Sequence, residues 1–394
     1  MKHLLVRPQF VTQFSCIGGD CEDSCCYGWN IHIDKQSYKK TLAHNELKEI
    51  AKTALKKVKK SDGVWATAVL NDNGACGFLD TNNLCQIHAK AGESLLSDTC
   101  KTYPRMAHMR GGDRYESLSL SCPEAARNIL FRDDAFSLER QTINHNRAFK
   151  ATPLWAQKAY DYSIQLLLKP EQPLELGLTA IGILMKTADR VALGELDTMA
   201  LDNMFLQLVA LSDNGQLKQH FDGFNQNTDE HQMHAFTSIQ LWLNTNKIRR
   251  GRSRFEQINQ AICALADDKQ NIRMASINQA WKESALPALS GHPQLFSRYL
   301  CYYLYHMQFP QVDTLTPSEA FRVMLLDLFM LRCYLAVIAV SKQGLSEHDI
   351  IMCFQVYHTN RQHKANYSQY VTEILAQAKF DELAAILTLL SKAN

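Results

Sequence analysis

From about Thr152 onward, apolar residues recur at intervals of three and four, the period of helices with one buried face. The pattern predicts helices over Leu154–Leu168, Leu174–Leu193, Leu196–Leu211, Glu230–Ile248, Ser253–Ala266, Arg273–Leu286 and Pro293–His306. Thr316-Pro317-Ser318-Glu319 is a helix start, with a Thr cap, Pro at the first helical position and Glu at the third. It opens a long apolar helix ending near Gly344. Ser346 caps another, with Glu347 and Asp349 in its first turn, and two more fill Asn366–Leu390. The most apolar window, Val323 to Val340, contains Asp327 and Arg332. Charges at the centre of a lipid span are costly, so a buried helix is expected and no membrane insertion.

The first 150 residues are less regular. Lys35 to Lys60 reads as one or two helices, with Lys56, Lys57, Lys59 and Lys60 on a solvated face. Val64 to Leu70 suits a short strand closed by a turn at Asn71-Asp72-Asn73-Gly74, and Tyr115 to Leu120 alternates like another. Asp222 to Asp229 reads as an exposed loop. The expectation is a mainly α protein. A cysteine-rich metal-binding N-terminal domain with little β covers residues 1–150, and an all-α helical domain covers 151–394. No Gly-x-Gly-x-x-Gly follows a strand, so no Rossmann fold is expected.

Composition changes this picture little. The 394 residues are 46% apolar and 21% charged, an ordinary globular balance. The formal net charge of +2 lacks the basic excess of a phosphate-driven binder, so no nucleic-acid partner is expected. Leu4-Leu5-Val6 is broken at once by Arg7 and Pro8, too short for a secretion signal, which points to the cytoplasm.

Cysteine placement carries the chemistry. Eight of twelve cysteines lie in the first 122 residues. Cys16, Cys21, Cys25 and Cys26 come first, with Gly18, Gly19 and Gly28 among and after them. Cys76, Cys85, Cys100 and Cys122 follow, with His88 three residues after Cys85. In a reducing compartment such a cluster suits metal ligation better than disulfides. Thiolates bind zinc or iron–sulfur iron, and spacing does not choose between them. Paired Cys-x2-Cys knuckles are absent. So is the Cys-x3-Cys-x2-Cys triplet of radical S-adenosylmethionine enzymes, since Gly28 stands at its third position.

The segments Arg7-Pro8-Gln9-Phe10, Cys21-Glu22-Asp23-Ser24-Cys25-Cys26-Tyr27-Gly28-Trp29 and Ile31-His32-Ile33-Asp34 resemble bacterial flagellin lysine N-methylases. So do Cys76-Gly77-Phe78-Leu79-Asp80, Leu84-Cys85-Gln86-Ile87-His88, Thr99 through Arg105 and Leu120 through Ala126. The head is also similar to a broader family of zinc- or iron-chelating cysteine-cluster domains. The resemblance is specific over residues 7–127 and looser over the helical body. It implies transfer of methyl groups from S-adenosylmethionine to lysine ε-amines of flagellin, and a 4Fe–4S cluster in the head. Zinc is the alternative metal.

Within that reading, an iron–sulfur cluster with a free position could hold the donor's amino and carboxylate groups. Otherwise Arg105 could pair with the carboxylate, while Trp29 or Tyr103 faces the sulfonium. Tyr27, Asp34 and Asp80 are candidates to take the lysine proton. The basic run Asn246-Lys247-Ile248-Arg249-Arg250-Gly251-Arg252-Ser253-Arg254 could steer an acidic partner, or it is an exposed helix junction. Two other classes stand beside the methyltransferase: a non-catalytic zinc scaffold or chelating module, and an iron–sulfur redox protein.

Overall fold

The computed structural model describes residues 2–29, 31–61, 63–144, 149–223, 229–245, 250–312, 314–362 and 366–390. The described strands all lie before residue 145: β1 (Lys2–Pro8), β2 (His32–Ile33), β3 (Leu55–Ser61), β4 (Val64–Ala68), β5 (Arg105–Arg110), β6 (Asp113–Leu118) and β7 (Leu138–Asn144). One sheet has the order β5-β6-β1-β7 and the other β2-β4-β3. β1 runs parallel to β6, pairing Val6 with Tyr115, and antiparallel to β7, pairing Pro8 with Leu138. From Leu154 onward the described elements are helical, so the chain is mainly α.

Two expectations need correction. Lys35 to Lys60 is not wholly helical: helices Lys35–Ala43 and Lys48–Ala54 lead into β3, so the lysine run sits on a strand. Leu55 and Ala54 are buried there while Lys56 and Lys57 are exposed, and pairing with β4 decides the conformation. The helix Gln216–Gly223 was not foreseen, and part of the expected loop after it lies outside the described residues.

The helix starts read from local chemistry are present. Thr316 Oγ1 accepts from Glu319 N at 3.3 Å, and Glu319 Oε2 accepts from Thr316 N at 2.8 Å. That capping box opens the helix Pro317–Lys342, which ends at Gln343 in the left-handed conformation. Ser346 and Asp349 cap the helix Glu347–Gln362 in the same reciprocal way. Pro317–Lys342 is apolar and long enough to cross a membrane, but 89% of its most apolar window is buried inside the protein.

Residues 1–150 contribute to two hydrophobic cores. The larger one joins Val6, Phe10, Leu118 and Ile129 to the helical body. Tyr302 and Tyr305 of helix Leu295–His306 donate their hydroxyls to the carbonyls of Leu118 and Glu116, both at 2.9 Å. The smaller core spans Ile31 to Leu96, with Cys76, Cys85 and Trp29 packed against it. The cysteine site lies at this second core, beside the seam with the body.

Candidate functional site

Backbone pairing gathers the thiols. Cys76 N donates to Cys26 O at 2.8 Å and Gly28 N to Gly74 O at 2.9 Å, which lays the two cysteine segments side by side. Gly28 and Gly74 have φ of 80° and 88°, a region glycine enters without a Cβ clash. Gln86 N reaches Phe78 O at 2.9 Å, closing the loop that returns Cys85 toward Cys76. Asp80 holds that loop: its Oδ1 accepts from Asn82 N at 2.8 Å and Leu84 N at 2.9 Å. Cys100 rides on the short helix Asp98–Thr102, capped by Ser97.

The Cys26 thiol lies within reach of both Cys25 and Cys85 and has one S–H to donate between them. This donation lowers the Cys25 pKa to about 7, helped by the nearby Arg250 cation and opposed by burial. It lowers Cys85 to about 6, helped by the backbone N–H groups of His88 and Ile87 at a helix start. Cys26 is raised correspondingly. Burial, then the neighbouring Cys85 and Cys25, raise Cys76, and burial with Cys85, Cys25 and Cys76 pushes Cys100 up to about 11. Cys25, Cys26, Cys76, Cys85 and Cys100 therefore form one group.

Cys122, pushed up to about 12 chiefly by burial, lies near Cys21, whose Sγ donates to Asp23 O at 3.4 Å. Cys16 is exposed, its sulfur accepting from Gly18 N at 3.5 Å. Among the described residues no three His, Cys, Asp or Glu side chains already stand in a metal-holding arrangement. The donor set nevertheless fits zinc or iron–sulfur iron: adjacent thiols, two with depressed pKa, are what soft metals need.

The sequence placed Arg250 in an exposed basic loop, either steering an acidic partner or forming a helix junction, and the structure buries it instead, with 3% of its side chain exposed. Its Nε stands 3.0 Å from Asp23 Oδ2. Its Nη1 donates to Tyr103 OH at 2.7 Å and its Nη2 to Ser121 O at 2.9 Å. The guanidinium also lies 5.2 Å from the Trp29 ring centre and 5.1 Å from that of Tyr103. The cation over these two aromatics is thus the protein's own. Arg254 approaches the same Asp23 at 3.6 Å, Arg252 is exposed, and residues 246–249 lie outside the described residues. No local pattern marks Arg250; a single aspartate between Cys21 and Cys25 was the available hint.

The remaining candidates separate. Asp34 caps helix Lys35–Ala43, accepting from Gln36 N, Ser37 N and Ser37 Oγ, which holds its carboxyl below the usual range. Tyr27 is half-buried and bridged to Ala75. Arg105 is exposed at the start of β5, with its guanidinium 5.0 Å from the Phe14 ring centre.

Arg105 and Tyr103 reach a cleft of about 560 Å³ that also takes in His108, His306, Arg361 and Gln362. Behind its floor, Arg361 Nε stands 2.6 Å from Asp327 Oδ2. Asp327 Oδ1 accepts from Tyr357 OH at 2.5 Å and Tyr367 OH at 2.7 Å. Asp327 was visible in sequence as a charge in an apolar window; its partner Arg361 was not. His306, pushed down to about 3 by burial, is a neutral ring bonded through Nδ1 to Ser117 Oγ at 2.8 Å.

These features define a class: a helical protein carrying a thiol-rich, metal-suited head beside a polar cleft. The model of the FliB lysine N-methylase C-terminal domain matches residues 160–389, and the chain belongs to that family. The model of a zinc- or iron-chelating domain matches residues 15–123, the span that contains the thiol group. The chain is 25% identical to the lysine-N-methylase of Salmonella typhimurium (strain LT2) over 386 residues, 94% of each chain. The lysine-N-methylase of Salmonella choleraesuis aligns with the same identity and coverage. A flagellar biosynthetic protein, FliU, of Salmonella muenchen is 36% identical over 169 residues, 42% of this chain and 98% of that one. No solved structure matches the chain.

Proposed function

We propose that this chain is a cytoplasmic protein-lysine N-methyltransferase that moves methyl groups from S-adenosylmethionine to lysine ε-amines of flagellin. Its cysteine-rich head would hold a 4Fe–4S cluster. The observation that carries this reading is the backbone pairing that lays the Cys25-Cys26 segment beside the Cys76 segment, in a member of the lysine N-methylase family. The names of the Salmonella relatives support lysine as acceptor and a flagellar protein as substrate. Residues 1–150 would carry the cluster and the transfer chemistry, and 151–394 the recognition of flagellin.

The chemistry sets the demands on the residues. A lysine ammonium, with an unperturbed pKa near ~10.4, must first lose a proton. Its lone pair then attacks the methyl carbon in line, the carbon–sulfur bond breaks, and S-adenosylhomocysteine leaves with the bonding pair. Asp34 uses both carboxylate oxygens and Asp80 its Oδ1 to hold local turns, so Tyr27, next to Cys26, is the better candidate to relay the proton, its hydroxyl oxygen taking it up as its own proton passes to water. When bound, the metal centre supplies a soft Lewis-acid site and fixes the four-segment head. Cys25, Cys26, Cys76, Cys85 and Cys100 would provide its ligands, with Cys21 and Cys122 beside them.

The thiol geometry accommodates zinc as well, and the test separates the two readings. Anaerobically purified protein is assayed for iron, acid-labile sulfide and zinc, and for transfer of labelled methyl to flagellin. About four irons and four sulfides per chain, with transfer, are expected of a cluster enzyme. One or two zincs without transfer would make the head a structural scaffold.

A further inference from the structure

We propose that the cleft beside the Asp98–Thr102 helix is the seat of the methyl donor, a carboxylate-bearing nucleoside sulfonium, and that Arg105 pairs with its carboxylate. The inference rests on the methyltransferase reading above and gives it a place in the fold.

Position comes first. Thr99 and Thr102 line the cleft, and Cys100 rides on the same short helix, so the cleft and the thiol group share that element. The volume of about 560 Å³ falls within the ~300–1,000 Å³ usual for small-molecule sites. Met307 and Val312 offer an apolar wall for a flat base, while the amides of Gln311 and Gln362 offer donors and acceptors for ring nitrogens and ribose hydroxyls.

Charge bears on the donor's carboxylate end. Among the described residues no aspartate or glutamate lines the cleft, so an entering carboxylate meets no like charge from them. Two of the basic groups are already silenced: Arg361 is neutralised by Asp327 at 2.6 Å, and His306 is buried as a neutral ring against Ser117 and the edge of His108. Arg105 differs. It is exposed, has no carboxylate partner among the described residues, and rests against the Phe14 ring. A free planar guanidinium at the rim of a cleft suits a bidentate carboxylate, the group that the donor's methionyl end carries. The ring faces of Trp29 and Tyr103 are not needed for the sulfonium, since Arg250 already lies over both. Tyr103 then serves as cleft wall, its hydroxyl fixed by Arg250.

The test is calorimetric binding of S-adenosylhomocysteine to the metal-loaded full-length protein, with Arg105→Glu and Gln311→Trp as variants. Both positions are exposed, so the fold should survive; far-UV circular dichroism and metal content are the check. Reversing the charge and filling the cleft should each weaken binding by about tenfold or more, the scale of one charge-assisted pair. If both variants bind as the parent does while the parent still methylates flagellin, the cleft assignment is overturned and the methyltransferase reading stands. If the metal-loaded parent neither binds S-adenosylhomocysteine nor transfers methyl from S-adenosylmethionine, both fall together.

Discussion

Arg250 Nε stands 3.0 Å from Asp23 Oδ2, joining two residues 227 positions apart in the chain. Asp23 lies between Cys21 and Cys25, so this pair ties the thiol segment to the helical body. Gln355 strengthens the tie by donating Nε2 to Asp23 Oδ2 at 2.6 Å and to Ser121 O at 3.1 Å. Ser121 precedes Cys122, so both cysteine segments nearest the seam are held by side chains from the body. The geometry of the head thus depends on residues far from it in sequence.

Removing one partner of a buried ion pair leaves an uncompensated charge. Arg250→Ala should therefore cost about 3–5 kcal/mol of stability. Arg250→Lys keeps the charge but loses the fork that reaches Asp23, Tyr103 and Ser121 at once, so it should fall between parent and Ala. Urea midpoints measure this order. An Ala variant that unfolds with the parent would show that the seam contributes nothing.

The Asp327–Arg361 pair invites a two-step experiment. Asp327 is fully buried and shared by Arg361, Tyr357 and Tyr367. Asp327→Ala should destabilise by about 3–5 kcal/mol, because Arg361 stays buried without its counterion. Adding Arg361→Met should recover part of that loss, as paired removal of buried charges usually costs less than single removal. A double variant no more stable than Asp327→Ala would show that the tyrosines, and not the charge balance, set the cost.

What could be read in advance follows from how local each signal is. The Thr316–Glu319 capping box is complete within four residues, and the helix begins there. β1 and β7 were not foreseen, because Val6 and Arg140 form a pair only after the chain has returned. The lysine run of β3 misled for the same reason: its conformation is decided by β4 and not by its own composition. At the site, cysteine spacing marked the thiol group as a whole. It did not separate Cys16, whose sulfur bonds within its own turn, from Cys25, Cys26 and Cys85, whose grouping needs the backbone pairing of residues 26–28 with 74–76.

Metal content should divide the cysteines along that line. Cys25→Ser, Cys26→Ser and Cys85→Ser each remove a member of the thiol contacts, and each should lower bound metal sharply. Cys16→Ser should retain metal near the parental level, since Cys16 bonds only to its own turn. Elemental analysis after anaerobic purification reads the result. Equal loss in all four variants would mean that the head rearranges on metal binding to recruit Cys16.

The last prediction concerns pH. His306 is buried and its pKa is pushed down to about 3 by desolvation, then by His108 and Arg361, whose charges also oppose its protonation. Tyr302 stacks on its ring at 4.7 Å and Ser117 holds Nδ1, and among the described residues no carboxylate is paired with it. In the unfolded chain the same ring titrates near ~6.5. Between those values the unfolded state takes up a proton that the folded state refuses. The stabilisation is therefore complete above about pH 6.5 and is lost progressively as pH falls toward 3. The loss should approach about 1.4 kcal/mol per pH unit once well below pH 6.5. His358, buried with both ring nitrogens unpartnered and its pKa also lowered well below normal, adds in the same direction. The measurement is the urea midpoint between pH 6.5 and 5, above the range where the carboxylates titrate, at constant metal content. His306→Gln should flatten the slope by about one histidine's share. An unchanged slope in that variant would place the pH sensitivity on His358 or on the thiol group.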